Sequence, residues 1–241
     1  MSGPRRETRS AAAGRGAGFW LGLVLVLLGL ALLGWVGWQL VGTNVVAHRA
    51  QQQVVSELQQ RWRTAGREPA GTPGDTATAA PLPGDAIALV RIPRFGDDFV
   101  VPVLEGVGDH ELERGLGHFP GTAEPGARGN FALAGHRITH GEPLRDMPDL
   151  RPGDLVLVET QRRVYRYRLD TDPRELVVEL DEDWVLDPVP TNPRPGGVEP
   201  AQRPGQRLLT LTTCAELFHT DTRMIAFGHL VGAAPRSEGV Q

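Results

Sequence analysis

Arg207-Leu208-Leu209-Thr210-Leu211-Thr212-Thr213-Cys214 reads as a buried strand of aliphatic residues and threonine that stops at a thiol, and the polar, turn-prone residues 215–222 follow at once. A sulfur at a strand end is placed to meet another molecule. It is the only cysteine in 241 residues, so no internal disulfide framework exists and the thiol is either inert or reactive. An ordinary thiol, with a pKa of about 8.5, is only a few per cent thiolate at neutral pH and needs activation. A lone cysteine is most often a small buried hydrophobe, so the reactive reading depends on partners elsewhere in the chain.

Two stretches supply such partners. Asn130-Phe131-Ala132-Leu133-Ala134-Gly135-His136-Arg137 is a short apolar strand that ends on an imidazole, the side chain suited to taking a proton from a thiol and returning one to a leaving amine. Arg223 stands nine residues after Cys214 and opens the strand Arg223-Met224-Ile225-Ala226-Phe227-Gly228. A tight return would set its guanidinium beside the thiol, where it would stabilise an oxyanion or hold substrate carbonyls. All 25 basic residues are arginine, as in a GC-rich coding bias, so an arginine at one place does not by itself show that a guanidinium was selected there. His136 is likewise one of seven histidines, and its value lies in the combination.

Working outward, residues 85–92, 99–104, 130–135, 154–159, 163–170, 175–180, 207–213 and 223–231 are eight short strand-like runs bounded by turn residues. Residues 160–162 are short enough to close a hairpin, and 111–116 reads as a helical turn. Eight short strands in roughly 150 residues fit a barrel or a sandwich, and the pattern leaves both open.

Upstream, residues 19–41 are apolar except for glycines and Gln39, a run of roughly 35 Å as a helix, enough to cross a bilayer. Residues 1–17 carry Arg5, Arg6, Arg9 and Arg15 against Glu7, which puts the N-terminus in the cytoplasm and the rest outside, a single-pass type II topology. The apolar run is too long for an ordinary signal peptide. Net charge is −4, and the basic tail hides a further acidic excess in the remainder, which argues against nucleic-acid binding. The organisation expected is a basic tail (1–18), a transmembrane helix (19–41), a juxtamembrane helix (42–64) carrying Val46, Arg49, Gln53, Leu58 and Trp62, a Pro/Gly-rich linker (65–83) that separates the domain from the lipid surface, a catalytic domain (84–232) and a disordered tail (233–241).

Taken together, Gly135-His136-Arg137, Thr210-Leu211-Thr212-Thr213-Cys214 and Arg223 resemble the sortase family. Gly115-Leu116-Gly117-His118-Phe119-Pro120-Gly121-Thr122 and residues 129–137 are similar to class E sortases of actinobacteria, and the resemblance covers residues 84–232. It implies an all-β fold, an eight-stranded sortase-type β-barrel behind an N-terminal transmembrane helix. It also implies a cysteine transpeptidase in which Cys214 attacks a sorting motif similar to Leu-Pro-x-Thr-Gly or Leu-Ala-x-Thr-Gly in a secreted protein, forms an acyl-thioester, and passes the acyl group to a cell-wall amine, by analogy that of a peptidoglycan precursor. His136 is implied as proton partner, Arg223 as oxyanion or substrate clamp, and His118, Thr213 and the loop 187–207 as neighbours of the substrate groove; no cofactor and no metal are implied. One departure is Glu216, where many relatives carry a proline two residues after the cysteine. A carboxylate there would disfavour thiolate if it pointed inward, and it is expected to face solvent. With no lysine, the chain has no side-chain amine to capture its own acyl intermediate. The competing readings are an L,D-transpeptidase, whose Ser-x-Gly-Cys context is absent, and a non-catalytic membrane-tethered β domain that binds a wall component or protein partner.

Overall fold

The computed structural model describes residues 16–38, 43–65, 81–202, 205–214 and 221–236. Helices α1 (Ala17–Gly37) and α2 (Thr43–Ala65) come first. A short α3 (Asp109–Leu112) lies among nine strands: β1 (Ala86–Arg91), β2 (Val101–Glu105), β3 (Leu116–His118), β4 (Gly129–Ala134), β5 (Leu155–Glu159), β6 (Arg163–Leu169), β7 (Val177–Glu179), β8 (Arg207–Cys214) and β9 (Thr222–Pro235). The hydrogen-bonded order is β6-β5-β1-β2-β3-β4-β8-β9, and β9 pairs back to β6, so eight strands close into a barrel. Closure leaves no open edge in the ring and decides between barrel and sandwich. The β5–β6 hairpin forms as expected, with the Thr160 amide donating to the Arg163 carbonyl at 2.8 Å.

The eight members of the ring are not quite the eight expected runs. The run at 175–180 becomes β7, which lies outside the ring as a second partner of β9: β7 pairs with residues 222–224, whereas β6 pairs with 228–235 on the same strand. The ring's remaining place goes to β3, part of which read as a helical turn. Glycines weaken strand propensity, and Leu116 sits between Gly115 and Gly117. The glycines are there because the strand lies against backbone: a Cβ would fall 2.3 Å from the Pro102 carbonyl oxygen at Gly115, and 2.4 Å from that of Gly106 at Gly117. The helical turn forms earlier, as α3. Gly117→Ala is therefore expected to destabilise the barrel by about 1–3 kcal/mol, the usual range for overpacking, read as a lower urea midpoint with unchanged slope.

Alternation along the strands sorts side chains into two faces. Val90, Val103, Phe131, Leu133, Leu209 and Leu211 point inward and fill the barrel. Outside it, Leu176, Val178 and Val185 cover Ile225 and Phe227 of β9. A third cluster joins α2 to the barrel: Leu58 and Trp62 are buried with Leu89 of β1, on the order of 2 kcal/mol for each large side chain so covered. The buried face of α2 is Ala47, Gln51, Val54, Leu58 and Trp62, one stripe at helical spacing. The sequence pattern placed Val46 on that stripe, but it lies one position out of phase and is 57% exposed. The Arg236 guanidinium stands 4.6 Å over the Trp62 ring.

Helix α2 is docked on β1 and β2, and residues 66–80 of the expected linker lie outside the described ones. Helix α1 contains a stretch, Gly18–Trp35, long and apolar enough to cross a membrane, and none of it is buried against the protein. The expected tail loses its first residues to the sheet, since Ala233 and Pro235 pair with Tyr165 and Arg163 of β6. The basic tail at 1–15, Glu216 and residues 237–241 fall outside the described residues.

Candidate active site

Strand parity places the three candidate residues on one surface. On β8, Leu209 and Leu211 face the barrel interior, so Thr210, Thr212 and Cys214 face outward. On β9, Met224 and Ala226 face inward, leaving Arg223, Ile225 and Phe227 outside. On β4, Phe131 and Leu133 face inward, and Ala132 and Ala134 face out. The thiol therefore belongs to the outer wall of the barrel, at the end of β8. Both faces of β8 are buried, so the run looked continuously apolar; its alternation of threonine with leucine carried the distinction.

Register then brings the residues together. Cys214 and Arg223 are direct partners across the antiparallel β8–β9 ladder, a spacing of about 5 Å between Cα atoms. β4 and β8 run parallel with Ala134 opposite Thr212, and the Gly135 amide extends that ladder by donating to the Thr212 carbonyl at 3.1 Å. His136 and Cys214 each lie two residues beyond the last pair. Thr213 fixes the junction, its buried hydroxyl donating to the Gly135 carbonyl at 2.7 Å. Gly135 has no room for a side chain, since a Cβ would fall 2.6 Å from Leu116.

These residues line one cavity of about 180 Å³ with His136, Thr212, Thr213, Cys214 and Arg223 on the barrel side and Val178 to Leu186 opposite. The opposite wall is pinned from below. Asn130 donates to the Val185 carbonyl at 3.0 Å, and the Thr210 hydroxyl donates to Asn130 Oδ1 at 2.8 Å, both within the buried interior. Sequence reading put this wall at 187–207, whereas among the described residues it comes from β7 and the turn Asp183–Leu186. Leu180, Val185 and Leu186 gave no signal of their own. Glu179, Glu182 and Asp183 make the same wall acidic.

Burial holds the His136 imidazole below its ordinary value of 6.5, and repulsion from His140, whose ring centroid lies 4.9 Å away, adds to this. Asp109 and Glu113 pull the value upward, and Arg223 pushes it down. The imidazole is therefore mainly neutral at neutral pH, and its protonated fraction grows only as pH falls.

His118 lies elsewhere. It is 1% exposed within β3, with Nδ1 2.6 Å from a Glu105 carboxylate oxygen and Nε2 2.9 Å from the Thr122 hydroxyl, so it does not line the cavity and the substrate contact expected of it is corrected. Among the described residues Glu105, His118 and Glu124 bring three ligand-type atoms within 4.8 Å of one another, but both His118 nitrogens are already engaged by protein.

A sortase domain family model matches residues 90–231. The chain belongs to the sortase family. This sortase is 38% identical to Sortase SrtE1 of Streptomyces coelicolor over 98% of its own length and 64% of that relative, so it spans less than two thirds of it. Its barrel resembles the structure of sortase E from Streptomyces avermitilis at 40% identity and a TM-score of 0.56, covering 64% of this chain and 93% of that one. It also resembles sortase E1 from Streptomyces coelicolor, solved with a tripeptide in the active site, at 39% identity and a TM-score of 0.56, covering 67% and 98%. The similarity to class E read from the motifs agrees with these neighbours.

Proposed function

We propose that this sortase is a membrane-anchored cysteine transpeptidase that cleaves a sorting motif similar to Leu-Ala-x-Thr-Gly or Leu-Pro-x-Thr-Gly and transfers the acyl fragment to a cell-wall amine. One observation carries the reading: thiol, imidazole and guanidinium reach a single cavity from β8, the end of β4 and β9. The tripeptide in the active site of the Streptomyces coelicolor relative supports a peptide occupant.

In this mechanism the Cys214 thiol passes its proton to His136 as the sulfur attacks the threonine carbonyl carbon, and Arg223 donates to the oxygen as charge develops on it. The carbon–nitrogen bond breaks, the glycine amine leaves with a proton from His136, and a thioester remains on Cys214. An incoming amine then gives its proton to His136 as it attacks the thioester, forming the new amide and releasing the thiol. Since His136 is held low by burial, its imidazole is mainly neutral at neutral pH and can take a proton as attack begins. The four arginines ahead of α1 support a cytoplasmic N-terminus and an extracellular barrel.

The test is turnover by the full chain in detergent of fluorogenic Leu-Ala-x-Thr-Gly and Leu-Pro-x-Thr-Gly peptides, with and without an added amine. Cleavage between threonine and glycine, with amine-dependent ligation seen by mass spectrometry, is the expected result. Failure to cleave either peptide, or a product cut at another bond, would overturn the motif assignment.

A further inference from the structure

The loop that leaves His136 contains three consecutive residues in the left-handed region: His140 (φ 54°), Gly141 (φ 80°) and Glu142 (φ 48°). Two of them carry a Cβ, and the conformation is unfavourable for each. Helix α2 holds the turn in place. Asn44 Oδ1 accepts from the Gly141 amide at 3.0 Å, while Asn44 Nδ2 donates to the Glu142 carboxylate at 2.7 Å. Gln51 Nε2 donates to the His140 carbonyl at 3.3 Å. Asn44 and Gln51 are two helical turns apart and so share one face of α2. Gly141 permits the approach, since a Cβ there would lie 2.6 Å from Gln51 Nε2. The loop closes where it began, the Leu144 amide donating to the His136 carbonyl at 3.0 Å.

The turn delivers the His140 ring to His136, with centroids 4.9 Å apart and planes inclined at 35°. On its other side His140 Nε2 is 3.5 Å from the Glu113 carboxylate, and its Nδ1 is 3.0 Å from the Thr139 hydroxyl. We propose that His140, presented by a turn that α2 clamps through Asn44 and Gln51, is a positioning residue that keeps the His136 imidazole in one orientation toward Cys214. The proposal rests on His136 being the proton partner described above. It makes α2, the helix that follows the membrane-crossing candidate, a working support of the active site as well as a cover for β1. The charged and titratable groups around His136 are His140 on its own loop, Asp109 and Glu113 from α3 and the segment after it, Cys214 on β8 and Arg223 on β9.

The experiment uses the full chain in detergent and two variants. Asn44→Ala/Gln51→Ala removes the clamp while Leu58 and Trp62 still dock the helix, and a roughly tenfold fall in kcat with KM within about twofold is expected from a misplaced imidazole. His140→Phe keeps an aromatic ring against His136 but removes its charge, so the His136 titration followed by NMR is expected to move to higher pH. A kcat within about twofold of the parent in the double variant, or an unmoved His136 titration in His140→Phe, overturns the proposal. Full turnover in His136→Ala would instead remove the reading on which it rests, which separates the two failures.

Discussion

Cys214→Ala is expected to lower transpeptidation by on the order of 10⁴-fold or more, because no other group among those lining the cavity can form the thioester. That corresponds to at least about 5 kcal/mol of transition-state stabilisation. The fold should survive, since Cys214 is only partly buried at the end of β8 and alanine suits the same backbone. Peptide binding is expected to persist in the variant, measured by fluorescence anisotropy, while the covalent adduct visible by mass spectrometry in the parent disappears. Turnover that survived in the alanine variant would remove the thiol from the reaction, and with it the assignment of the cavity.

Arg223→Ala is expected to cost about 10²- to 10³-fold in kcat, the range for losing one oxyanion donor. Its ladder position opposite Cys214 ties it to the reacting carbonyl more than to distant parts of a substrate, so KM should change far less than kcat. Arg223→Lys separates charge from geometry: an ammonium keeps the field but loses the planar fork, and should restore only part of the rate. This substitution matters because the chain has no lysine, so composition alone would account for an arginine there and only the rate shows whether the guanidinium is required. A second readout has a defined sign. Arg223 pushes the His136 value down, so its removal should shift the imidazole titration to higher pH. A variant with unchanged kcat and raised KM would reassign Arg223 from oxyanion donor to substrate clamp.

How much of this was readable in the residues depended on whether the cause was local. The strand ending at Cys214, the strand leading to His136 and the strand that begins beside Arg223 are local patterns, and they appear in the structure near the expected positions. β3 was hidden because its glycines serve a contact with Pro102 and Gly106, residues that sequence order does not put beside it. The outer-wall placement of the thiol was present as alternation between Leu209, Thr210, Leu211 and Thr212, but a strand covered on both sides loses the usual contrast between apolar and polar faces. The far wall of the cavity depends on Asn130 and Thr210 reaching Val185, and His140 depends on a helix nearly a hundred residues upstream. Neither relation has a periodic signature.

The parallel pairing of β4 with β8 sets a condition on how the protein is made. β4 must wait for a partner some 78 residues later in the chain, and β6 must wait for the far half of β9 before the ring can shut. Contacts so distant in sequence form late and slowly. A chain made N-terminus first thus carries an unfinished sheet until nearly the whole domain has emerged, and Cys214 comes beside His136 only once β8 has paired with β4. The candidate site is thereby unassembled until late in synthesis, and agents that bind exposed strand edges should act on the nascent chain far more strongly than on the mature one.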